Sequence, residues 1–120
     1  MSDEAVDHPK HYNAHPSGIE CIEISRLCMS NMGQAVQYIW RAEDKNGVED
    51  YCKAAWFLRD LMANGLSHYP PFHAKVLLRR AIKADDVPRR AFLLQCILEG
   101  NLHRAVEHID MIAFKPAGQQ

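Results

Sequence analysis

The feature that most constrains this chain is a helical spacing of apolar residues that recurs segment after segment. Leu102, Ala105, Val106, Ile109 and Ile112 fall three and four residues apart, the repeat of one helix face. Ala74, Leu77, Leu78, Ala81 and Ile82 repeat it upstream. No stretch alternates apolar and polar residues between hairpin turns, so no sheet is expected. The fold class expected is all-α, a small helical domain of about five to six helices. The 120 residues suit one domain, and a chain of this length buries about two-thirds of its unfolded surface.

Turn and cap residues divide the chain. Pro9 and Pro16 keep residues 1–17 a loop. Ser17, with Glu20 three residues on, reads as a capping box that starts a first helix running to about Met29. Asn31 and Gly33 mark a break. A second helix follows from Gln34 to about Ala42, with Ala35, Tyr38 and Ile39 on one face. The polar turn from Glu43 to Gly47 leads to a third helix, about Val48 to Ala63, which stops at Asn64-Gly65. Its expected packing face is Cys52, Ala55, Trp56, Arg59 and Leu61 or Met62. His68-Tyr69-Pro70-Pro71 separates two sub-regions. Helix four is about Phe72 to Ala84, with Lys75, Arg79 and Lys83 on its outer side. Asp85, Asp86 and Pro88 start helix five, Gly100 ends it, and Asn101 caps helix six. Residues 1–65 then form a helical core with a His-rich N-terminal loop, and residues 66–120 an accessory helical region.

Composition excludes several classes. The net charge is -1 and the pI about 6.6, so no strong basic field draws nucleic acid. The balance is uneven: residues 1–65 hold 6 Lys/Arg against 10 Asp/Glu, and residues 66–120 hold 8 against 5. A homo-oligomer is expected of so small a helical protein, and opposite charge lets the halves attract each other or the opposite halves of a second copy, or marks only solvated helix faces. No run of about 18 apolar residues spans a membrane, and the acidic start lacks the apolar core of a signal peptide. Cys21, Cys28, Cys52 and Cys96 form no C-x-x-C pair and sit in helical patterns, as reduced thiols in a cytoplasmic protein do.

No phosphate-binding glycine loop and no common hydrolase or metalloprotease motif occurs. Three clusters remain. His8, Lys10, His11, Tyr12 and Asn13 gather phosphate donors and a stacking ring in one loop, or form only a polar arm. His8, His11 and His15 lack a carboxylate or thiolate at ligand spacing, so no metal is expected. Gly33 to Lys45 ends in two cations, Arg41 and Lys45, which can hold phosphates or merely pair with Glu43, Asp44 or Asp50. Glu49, Asp50 and Lys53 open helix three; Asp50 caps the helix dipole or orients Arg41.

The blocks His8-Pro9-Lys10-His11-Tyr12-Asn13, Gly18 to Ile24, Gly33 to Lys45, and Glu49 to Leu58, in that order, resemble the SaV-like family of small phage proteins. The family includes a kinase of deoxynucleoside monophosphates that has no Walker loop. The resemblance covers about residues 7–63 and implies a nucleotide-binding protein acting in the host cytoplasm. It implies Arg41, Lys45 and Asp50 as the catalytic group. Ligand-binding residues would be His8, Lys10, His11, Tyr12, Asn13, Gln34, Tyr38, Trp40 and Lys53. No cofactor is implied beyond magnesium arriving with a nucleotide. Gln34, Gln37 and Glu43 depart from the family's asparagine, lysine and glycine; the second change loses a positive charge and the third adds a negative one. Two alternatives stay open: a protein that sequesters a nucleotide without turnover, and a helical adaptor that meets a host protein through residues 66–120 with Arg79-Arg80 and Arg89-Arg90. A pyrophosphatase using Glu20 and Glu23 around magnesium ranks below these.

Overall fold

The computed structural model describes residues 15–114, which form six α-helices and, among the described residues, no strand. They are α1 (Cys21–Ser25), α2 (Ser30–Arg41), α3 (Val48–Ala63), α4 (Phe72–Ala84), α5 (Pro88–Leu98) and α6 (Leu102–Ala113). A 3-10 turn, Ala42–Asp44, joins α2 to α3.

The first helix is shorter than its spacing predicts. Gly18 takes a left-handed φ of 78°, which breaks any helical path out of Ser17. The Ser17 hydroxyl instead accepts the Ile19 N–H at 3.0 Å. The capping box forms three residues later, where Glu20 and Glu23 each bond the other's backbone. Those two carboxylates therefore serve the helix start. Gly33 is not a break either: it lies buried inside α2. A Cβ there would stand 2.8 Å from the Ser25 carbonyl oxygen, so glycine is what lets α2 run against the end of α1.

The α3 face differs from the expected one. Tyr51, Ala54, Ala55, Leu58 and Leu61 point inward, while Cys52, Trp56 and Arg59 are exposed. Hydropathy misplaces the stripe because Asp50 and Tyr51, polar at their tips, lie on the buried side with partners of their own. Later helices follow their caps. The Asp85 carboxylate accepts the Val87 N–H at 2.9 Å before Pro88 opens α5, and the Asn101 side chain accepts the Arg104 N–H at 3.2 Å.

α2 and α3 make the largest helix pair. α6 covers α3, α5 touches α2, α4 and α6, and α1 lies against α2 and α4. One hydrophobic cluster takes Ile24, Ile39 and Leu58 from the first half and Leu78, Leu93 and Ile109 from the second. Each such fully buried side chain contributes about 1.5–3 kcal/mol. No described helix is long and apolar enough to cross a membrane, and all four cysteines are free.

Candidate functional site at the α2–turn–α3 face

Arg41 ends α2 and Asp50 lies in the first turn of α3, so the intervening 3-10 turn folds one onto the other. Arg41 Nε donates to Asp50 Oδ2 at 3.2 Å and Nη2 donates to Oδ1 at 3.3 Å. Asn46 adds its backbone N–H at 3.4 Å and its side-chain amide at 3.3 Å to the same carboxylate. The Asp50 side chain is 0% exposed, whereas that of Arg41 is 36% exposed. Burial alone would push the Asp50 carboxyl up, but the hydrogen bonds from Arg41 and Asn46 outweigh it and hold the group below the usual carboxylate range. A carboxylate held this way is a poor proton acceptor. Its role is to fix the guanidinium at the surface.

Around Arg41 the surface is aromatic and cationic. The guanidinium lies 4.8 Å from the Tyr38 ring centroid, and Lys53 Nζ lies 5.6 Å from it. Tyr38 stacks on Phe57 at 6.0 Å. Lys53 also pairs with Glu49 at 3.2 Å, with both side chains largely exposed. The structure thus brings Arg41, Asp50, Tyr38 and Lys53 together.

Other predicted site residues lie elsewhere. Trp40 is 5% exposed, and its ring faces the interior against His15. Gln34 is half-buried on α2, and Lys45 is exposed in the turn. His8, Lys10, His11, Tyr12 and Asn13 lie outside the described residues. Among the described residues, no three His, Cys, Asp or Glu side chains gather as a metal site. Two of the departures have structural work. Gln37 donates to the Ser25 hydroxyl at 3.0 Å, tying α2 to α1. Glu43 accepts the Tyr51 hydroxyl at 2.6 Å and lies 3.8 Å from Arg89 of α5.

A second polar cluster joins residues that no local sequence pattern links. His15 stacks on Trp40 with ring centroids 4.4 Å apart. Its Nδ1 accepts the Ser17 N–H at 3.1 Å, which leaves the proton on Nε2 to be donated to Asp85 at 3.3 Å. Arg90 grips the same carboxylate through Nε and Nη2, both at 2.8 Å, and donates to the Trp40 carbonyl at 3.3 Å. Arg90 is therefore buried and unavailable to an acidic partner, unlike Arg79 and Arg80, which are exposed. An open cavity of about 370 Å³ lies beside the start of α3, lined by Val48, Arg89, His108, Met111 and Ile112. Burial, then Arg89 and Arg104, push the His108 imidazole down.

With this geometry in view, residues 6–59 match a family model, DUF3310, described as a protein of unknown function. That segment, slightly under half the chain, holds α1, α2, the turn and most of α3, and over it the chain is similar to that family. No curated protein and no solved structure matches the chain.

Proposed function

We propose that the α2–turn–α3 face binds a deoxynucleoside phosphate and serves a phosphoryl transfer of the kind run by kinases without a Walker loop. The observation that carries this reading is Arg41, fixed by a fully buried Asp50 beside the Tyr38 ring. Lys53 stands by the same ring, and its pair with Glu49 is exposed. Such a pair contributes at most about 1 kcal/mol, so an entering phosphate displaces Glu49 at little cost. Phosphoryl transfer asks for positioning and charge neutralisation more than covalent chemistry. The SaV-like resemblance points the same way. A second reading, retention of the nucleotide without turnover, is favoured by Glu43, which adds a carboxylate to the turn that follows Arg41, although its own partners are Tyr51 and Arg89.

The test is to incubate the protein with deoxynucleoside monophosphates, ATP and magnesium, denature it, and identify the nucleotides by mass spectrometry. New diphosphate, lost in Arg41→Ala, supports the kinase. Unaltered nucleotide that travels with the protein supports retention. If nothing is bound and nothing converted, the nucleotide reading fails.

A further inference from the structure

Resting on the nucleotide reading, we propose that Trp56 is the stacking platform for the base of the bound nucleotide. Trp56 sits in the middle of α3, yet it is 58% exposed. Its ring meets Phe57 edge-on at 5.1 Å, and Phe57 in turn stacks on Tyr38. An aromatic run therefore leads from Trp56 to the ring that Arg41 and Lys53 approach. Lys53 and Trp56 are three residues apart on one helix, hence neighbours on its surface. Cations at one end and an open indole face at the other fit a ligand with a phosphate and a planar ring. Stacking accepts any base because every base has a π-face. The ligand class is thus nucleotides of several bases, with base-free sugar phosphates held by the cations alone.

Trp40, the other tryptophan, is buried against His15, so quenching of solvent-exposed emission reports on Trp56. The experiment titrates wild type, Trp56→Ala, Trp56→Phe and Arg41→Ala with dGMP and with 2-deoxyribose 5-phosphate, by fluorescence and calorimetry. Circular dichroism checks that each variant is folded. The expected result is quenching by dGMP, and a loss of about 10–100-fold in dGMP affinity in Trp56→Ala. Trp56→Phe recovers most of it, and the sugar phosphate binds both Trp56 variants like wild type. Equal affinity of wild type for the two ligands, unchanged in Trp56→Ala, overturns the platform. If Arg41→Ala then weakens both ligands, the phosphate site stands alone; if neither ligand binds wild type, the nucleotide reading falls with it. Dissociation of an oligomer by Trp56→Ala with dGMP affinity intact assigns the ring to an interface between copies and also overturns the platform.

Discussion

His15 and Asp85 are bonded at 3.3 Å across seventy residues of chain. Their contact fastens the segment before α1 to the connection between α4 and α5, and Arg90 locks the same carboxylate from the other side. Asp85→Ala leaves the Arg90 guanidinium buried without its main partner, a change that costs about 3–5 kcal/mol. Asp85→Asn, which keeps an oxygen for the Val87 N–H, should lose less. Urea unfolding at pH 7.5 measures both; an Asp85→Ala protein as stable as wild type would show the contact to be idle.

Acid should weaken the fold through His15. Burial pushes its imidazole down, and the bond to Asp85 only partly offsets this. The unfolded chain takes a proton at about pH 6.5, where the native site resists it. This contribution is therefore complete above about pH 6.5 and is lost as pH falls through the lower native value. Asp50 and Asp85 act further down: burial raises them, but hydrogen bonds from Arg41 and Arg90 pull both below the usual range. Their contribution holds above about pH 4 and is lost below it. The fall in urea midpoint from pH 7.5 to 5.5 should be smaller in His15→Phe, which keeps a ring on Trp40. His108 titrates in both proteins and cancels in the comparison.

Gly33→Ala offers a test by sign. In an ordinary helix interior the change stabilises by about 1 kcal/mol. Here the new methyl meets the Ser25 carbonyl oxygen at 2.8 Å, and forced overpacking costs about 1–3 kcal/mol. Thermal unfolding should show a net loss; a gain would mean α1 moves aside freely.

Arg41→Lys keeps the charge but loses the two-pronged grip on Asp50. Nucleotide affinity should fall about 10–100-fold, the scale of a hydrogen bond to a charged group. Calorimetric titration decides it, and affinity equal to wild type would remove Arg41 from the site.

The thiols should react unequally. Burial pushes Cys21 up to about 12 and Cys28 up to about 11, and Cys96 is buried. Only Cys52 is exposed. A chromogenic disulfide at pH 8 should therefore modify one thiol quickly in native protein and four in denaturant. Loss of the fast phase in Cys52→Ser confirms the assignment, and its survival contradicts it.

The later helices were legible because their stops are local and strong: Asn64-Gly65 after α3, Pro88 at the start of α5, Asn101 before α6. The start of α1 is not legible because two overlapping boxes, Ser17 with Glu20 and Glu20 with Glu23, compete, and only the backbone at Gly18 decides between them. The buried position of Gly33 depends on the approach of α1, which no local pattern reports. At the site, the pairing of Arg41 with Asp50 could be read because nine residues and one turn separate them. Trp56 counts as core in a hydropathy pattern because that pattern treats a ring as apolar wherever it points. His15, Asp85 and Arg90 meet from opposite halves, and a single sequence carries no signal for such a meeting.

That last arrangement bears on how the chain is made. His15 and Trp40 leave the ribosome before Asp85 does, and at about 5–20 residues per second the wait lasts several seconds. Until α6 emerges, the side of α3 that it covers also lacks its neighbour. A chain cut short after the family-matched segment lacks Leu78, Leu93 and Ile109, and with them the second half's share of the common hydrophobic cluster.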